Sequence, residues 1–389
     1  MRKPPPNPQR GWRSQAVTIA ALTGMILTGW SLAAVAAGSA TTAADVRANH
    51  KTDKKPAERW SVERANQWYA KYPWICGCNY VPSTAVNQLE MWQADTFDPK
   101  TIDHELGMAE SIGLNTVRIF LHDQAWVQDP DGFKKRLSEF LDICQKHHIW
   151  ALVTFFTNGG RGTPIKIGKQ PEPIPGVHNA RWLQSPGAAV VNHPEKWAYL
   201  EGYVKDILST YAEDERILCW CLYNEPESTR NGNRCLPLLR TIWRWGRQVD
   251  PSQPFTAPIF FLPMHPRTDL PICCFIGENC DVMSFHCYLE PEVVEKMIDM
   301  AGSFGRPVLC TEYIARPTNN FFNVTPILKE ANVGAIHFGL VNGKCNFHFY
   351  GPEDLPEPKH WKHDLFRADG TPFDPEEIEQ IRKLTGKQE

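Results

Sequence analysis

The sequence predicts an α/β protein built as a single (β/α)8 TIM barrel. Three observations carry that expectation. Eight short apolar runs recur along the chain, separated by amphipathic stretches. Such alternation closes a parallel sheet with helices outside it. The fourth run, residues 217–223, is apolar throughout, as a strand covered on both faces must be. It stops at Asn224-Glu225-Pro226, where Pro226 ends the ladder and a carboxylate stands where packing has no use for one.

Taken in order, residues 74–81 form the first strand, with Asn79 and Tyr80 at its exit. Residues 98–112 form a helix with an acidic start, ended by Gly113. Strand two, 115–121, holds Arg118 inside an apolar run and is followed by His122-Asp123. A helix over 132–148 leads to strand three, 149–156. A long polar loop, 157–193, then carries Trp182; loops of that length in a compact domain are usually functional. Helix 194–211 precedes strand four, and an amphipathic helix over 233–249 follows it. Strand five, 255–261, contains Pro258, an awkward residue for a ladder. Strand six, 281–288, exits through His286 and Tyr288, and helix 291–304 follows. Strand seven, 306–313, ends in Glu312. A short helix, 325–331, strand eight, 333–340, and a closing helix, 374–384, complete the barrel.

Composition narrows the function. The 389 residues suffice for one barrel of about 250 residues with extensions. Fourteen Trp among 11% aromatics would serve both core packing and stacking against sugar rings. Arg2, Lys3, Arg10 and Arg13 precede the first acidic residue, Asp45; without those four positive charges the net −3 becomes −7, which disfavours a nucleic-acid partner. No Gly-x-Ser-x-Gly elbow and no phosphate-cradling glycine loop occurs.

Residues 1–40 read as a signal peptide: a basic, Pro-rich start, an apolar stretch over 15–37, and small-x-small sites near Ala40. The apolar stretch is long enough that an uncleaved N-terminal anchor is the alternative. Residues 41–58 read as a polar tether and 59–389 as the barrel domain. Export to the periplasm or the extracellular space is expected, with membrane contact only through such an anchor. Of the twelve cysteines, Cys76, Cys78, Cys219, Cys221, Cys287 and Cys310 fall within strands and behave as small hydrophobes. Cys273, Cys274 and Cys280 fall in an expected loop and are the better disulfide candidates, with two bridges at most.

Glu225 and Glu312, on two strand ends, can face each other across a barrel mouth. Glycoside hydrolysis needs such a pair: one acid to protonate the leaving oxygen, one carboxylate to attack the anomeric carbon or activate water. Burial and a second carboxylate would raise the pKa of Glu225, and Arg118 is placed to keep Glu312 ionised.

Over residues 74–384 the chain resembles clan A of the glycoside hydrolases, especially family-five-like β-glycanases of the cellulase type. The resemblance rests on Asn224-Glu225 ending strand four and Glu312 ending strand seven. It implies a retaining enzyme acting on β-linked glycosides in poly- or oligosaccharides, with Glu225 as acid/base, Glu312 as nucleophile, and neither cofactor nor metal. It further implies that Asn224 binds the sugar 2-hydroxyl and that Tyr288 touches the nucleophile. His286, Asn79, His122 and Trp182 are substrate-binding candidates by their place at the barrel face. Clan members often carry a Trp at the end of strand eight as a floor for the sugar; here Phe338 stands in that region. The pairs His147-His148 and His360/His363 are expected at the surface. The competing expectation is a catalytically silent carbohydrate-binding barrel.

Overall fold

The computed structural model describes residues 55–160, 164–228, 233–260 and 270–387. The expected leader and residues 41–54 of the tether lie outside them. The tether's last residues are tied down, since the Ala57 amide donates to Arg247 O at 2.8 Å.

Among the described residues, nine strands form one sheet: β1 Cys76–Asn79, β2 Thr116–Phe120, β3 Trp150–Thr154, β4 Ile217–Cys221, β5 Phe255–Thr256, β6 Pro258–Phe260, β7 Met283–His286, β8 Val308–Glu312 and β9 Gly334–Phe338. Their order is β5-β4-β3-β2-β1-β9-β8-β7-β6, and every strand pairing in it is parallel. The two ends of this order, β5 and β6, are halves of the expected fifth strand, separated only by Ala257. The sheet thus closes into a barrel of eight positions. The fifth strand is corrected to a broken one for a physical reason: Pro258 has no N–H to continue a ladder. The first half pairs with β4 through Trp220↔Phe255 and Cys221↔Thr256, the second with β7 through Pro258↔Ser284.

The helices begin where the sequence offers caps. Asp98 accepts from the Thr101 amide ahead of Pro99, starting helix Pro99–Ser111. Asp129 accepts from the Gly132 amide ahead of Pro130, starting helix Pro130–Lys146 two residues earlier than expected. Among the described residues, no helix is long and apolar enough to cross a membrane.

Apolar side chains fill two layers. One lies between strands and helices and includes Cys76 and Cys78. The other fills the barrel's interior with Ile75, Leu152, Leu218, Cys219, Cys221, Val282, Leu309 and Ile336, and is stoppered by Trp60 and Trp68. Helix Val62–Tyr69 carries Trp68 and crosses the end of the barrel where the strands begin. There Asp281 accepts from the Trp60 and Phe255 amides and from both terminal nitrogens of Arg247. Charge at this end serves stability, leaving the other end for chemistry.

The expected loop holding Cys273, Cys274 and Cys280 is corrected to helix Pro271–Asn279, with Cys280 as its C-cap. Cys76, Cys78, Cys144, Cys219, Cys221, Cys235, Cys280, Cys287, Cys310 and Cys345 are buried thiols outside any disulfide.

Candidate active site

The carboxyl ends of the strands converge on one guanidinium. Arg118, fully buried on β2, donates through Nη1 to Asn79 Oδ1 at 2.7 Å and to Glu312 Oε1 at 2.8 Å. Through Nη2 it donates to Asn224 Oδ1 at 2.5 Å. The fork finds three acceptors at three strand ends, and register places the first of them: Asn79 on β1 lies opposite Arg118 on β2. Asn79 is itself aimed by its amide, which donates to Thr311 O and His337 O.

Glu312 is held at both oxygens. Arg118 occupies Oε1, and Tyr288 OH donates to Oε2 at 2.7 Å. A register shift between β7 and β8 brings His286 opposite Glu312.

Glu225 sits differently. Its backbone adopts φ +45°, a left-handed conformation that L-residues avoid unless surroundings impose it. Asn158 imposes it: Nδ2 donates to Glu225 O at 3.2 Å and to Pro226 O at 2.8 Å, while Oδ1 accepts from Tyr223 OH at 2.9 Å. The Glu225 side chain keeps 18% exposure to the mouth. Oε1 lies 2.7 Å from His286 Nδ1. Burial pushes its pKa up to about 7, against the opposing pull of Arg118. Burial also pushes His286 down to about 3, so its ring is neutral.

The mouth is a cavity of about 460 Å³ lined by Glu225, Glu312, Asn224, Tyr288, Trp182 and Phe338, among others. Trp182 comes from the long loop and stacks edge-on against Phe120 at 4.9 Å. Phe338 meets Phe347 at 4.8 Å and His363 at 5.1 Å. Asn224 still has donor capacity on Nδ2, which also reaches Thr157 Oγ1 at 3.2 Å.

Several expectations need correction. His122 does not reach the cavity; it is fully buried, and its Nδ1 accepts from the Gln124 amide to cap helix Asp123–Gln128. Asn79, Arg118 and His286 are also buried and are not among the residues lining the cavity. His363 is no surface residue: it lines the cavity, and its Nδ1 lies 2.6 Å from Ile314 O. His147, also expected at the surface, is largely buried between Asp103 and Glu110, while His148 is exposed. Asn158 was missed altogether. Its only signal is a lone Asn after strand three, before Gly159-Gly160.

Glu225, His286 and Glu312 bring one ligand atom each within 4.8 Å of one another, a spacing a divalent cation could bridge. Glu312 already has its counter-charge in Arg118.

No protein-family model and no curated protein matches the chain. Solved structures do. An endo-β-1,4-mannanase from Thermotoga petrophila matches with TM-score 0.53 at 16% identity, over 80% of this chain and 76% of that one. A GH5_18 protein from Streptomyces cattleya in complex with GlcNAc matches with TM-score 0.55 at 13% identity, over 81% of each. A glycoside hydrolase family 5 mannosidase from Rhizomucor miehei matches with TM-score 0.50 at 13% identity, over 79% and 93%. Identities this low speak for the fold and leave the substrate open. The chain has the (β/α)8 barrel fold of the family 5, clan A glycoside hydrolases.

Proposed function

We propose that this protein is a retaining glycoside hydrolase cleaving β-linked glycosides in poly- or oligosaccharides, with Glu225 as acid/base and Glu312 as nucleophile. The observation that carries the reading is the pair of unlike carboxylates: one oxygen of Glu225 and one of Glu312 lie within 4.8 Å. Retaining enzymes hold their carboxyl groups roughly 5–5.5 Å apart, while inverting ones leave roughly 6.5–9.5 Å for a water.

In the first step Glu312 attacks the anomeric carbon as the glycosidic bond breaks and Glu225 gives its proton to the departing oxygen. A glycosyl ester on Glu312 results. In the second, Glu225 takes a proton from water, which attacks the same carbon and frees Glu312. A Glu225 pKa of about 7 suits a group that must be acid, then base. Asn224 Nδ2 would meet the sugar 2-hydroxyl, and Trp182 and Phe338 would stack on the rings. The matched structures are of a mannanase, a mannosidase and a GlcNAc complex, so β-mannosides and β-1,4-mannan come first for testing. The leader motif supports a proposal that the enzyme works outside the cytoplasm.

The test is hydrolysis of a panel of aryl β-glycosides and β-linked polysaccharides by wild type, Glu225→Ala and Glu312→Ala. Activity lost in both, with azide restoring the Glu312 variant and giving product of inverted configuration, supports the retaining mechanism. Activity surviving in both removes the assignment. Oligosaccharide binding without turnover would favour the silent barrel.

A further inference from the structure

The glycosidase reading requires the proton of Glu225 to sit on one particular oxygen, and the environment of His286 bears on which. His286 is fully buried, with Nδ1 2.7 Å from Glu225 Oε1 and 3.6 Å from Glu312 Oε2. A bare Nδ1 could accept from a protonated Glu225 but would also turn its lone pair toward Glu312 Oε2, 3.6 Å away; a hydrogen on Nδ1 suits both neighbours and is the assignment taken here. Nε2 must then accept, and Thr311 Oγ1 lies 2.9 Å away. A neutral imidazole's tautomer is set by what its second nitrogen meets.

We infer that Thr311 is a positioning residue: its hydroxyl donates to His286 Nε2, fixes the Nδ1–H tautomer, and thereby directs the acidic proton of Glu225 to Oε2. With Nδ1–H donating to Oε1 throughout, Oε2 is the oxygen not engaged by the imidazole. It gives its proton to the departing glycosidic oxygen and regains one from the attacking water. His286 changes neither charge nor tautomer in the cycle. The other groups around the ring fit this role. Arg118 and Tyr288 OH are committed to Glu312, and Phe260 offers only its edge at 6.3 Å. The buried ring is uncharged at neutral pH. Thr311 precedes Glu312 on β8, so one strand end both presents the expected nucleophile and orients the expected acid.

The inference rests on the proposed glycosidase activity, and one of its two tests does not. Ring 15N chemical shifts of histidine report the tautomer directly, with His286 assigned by its absence in His286→Asn. The wild type is expected to show protonated Nδ1 and bare Nε2, Thr311→Ser to keep that signature, and Thr311→Val to shift toward the other tautomer. On a cleaved aryl glycoside, Thr311→Val is expected to lower kcat roughly 10- to 100-fold, a fraction of what general acid–base catalysis contributes. KM should change little, the upper limb of the pH profile should move, and Thr311→Ser should restore the rate. An Nε2–H tautomer in the wild type, or Thr311→Val with wild-type shifts and rate, overturns the inference. If Glu225→Ala keeps full activity, the glycosidase assignment falls and the positioning role with it. If Glu225→Ala is dead and Thr311→Val unchanged, the positioning role alone falls.

Discussion

Asn158 holds Glu225 by its backbone: one side-chain amide binds the carbonyls of Glu225 and Pro226 and keeps the φ of +45° in place. The residue proposed to handle the proton is thus aimed from the neighbouring strand end. Asn158→Ala leaves the Glu225 and Pro226 carbonyls and the Tyr223 hydroxyl without this partner. It should cost about 1–3 kcal/mol of stability and lower kcat more than it raises KM. Urea unfolding and steady-state kinetics on the same preparation check both parts.

Glu225 also predicts a pH dependence whose sign is opposite to that of a salt-bridged acid. Its pKa rises from 4.5 to about 7 on folding, so the stability it contributes is full below pH 4.5 and lost as pH rises through 7. The loss is roughly 3 kcal/mol for this group. Asp364, raised by burial to about 7, works in the same direction. Glu225→Gln should be inactive yet more stable than wild type at pH 8, with the difference shrinking toward pH 4.5. Denaturant unfolding at three pH values measures it. On the rate side, kcat/KM should fall as pH rises above about 7, because the acid loses its proton.

Arg118→Met removes the charge that Glu312 faces and the donor shared by Asn79 and Asn224. Deleting one partner of a buried ion pair costs about 3–5 kcal/mol. The variant should be unstable and inactive at neutral pH. Thermal unfolding would show it, and wild-type stability in this variant would contradict the central place given to Arg118.

Tyr288→Phe is milder. It removes one donor to Glu312 Oε2 and leaves the ring against His363. A hydrogen bond to a charged group contributes about 1.5–3 kcal/mol, so kcat should fall roughly 10- to 100-fold. Folding should remain intact by circular dichroism.

Phe338→Trp tests whether this mouth can accept the floor common in the clan. Phe347 and His363 already pack on the Phe338 ring at 4.8 and 5.1 Å. A larger ring should overpack the mouth, costing about 1–3 kcal/mol, and weaken oligosaccharide binding measured by titration calorimetry.

Most of the barrel was legible because buried parallel strands leave an unambiguous trace. Runs such as 149–156 and 217–223 carry no charged residue, and the carboxylates of Glu225 and Glu312 interrupt that grammar. What failed was decided partly by contacts distant in sequence and partly by local ones. His122 and His363 look alike as isolated histidines, yet one is occupied by its own helix cap and the other is buried at the mouth by a loop over 240 residues later. Asn158 has no spacing relation to Glu225 that a linear reading could use. The helix Pro271–Asn279 carried too few polar residues to show a helical period, and Pro258 broke its strand without abolishing it.

The stopper formed by Trp60 and Trp68 fixes how the molecule faces its surroundings. Arg306 Nη2 donates to Trp60 O at 2.8 Å, so the chain enters at the end of the barrel remote from Glu225 and Glu312. The first described residues and the mouth thus lie at opposite ends of the barrel. Whatever binds at the mouth meets it from the side away from Trp60 and Trp68, so no part of this stopper stands in its path.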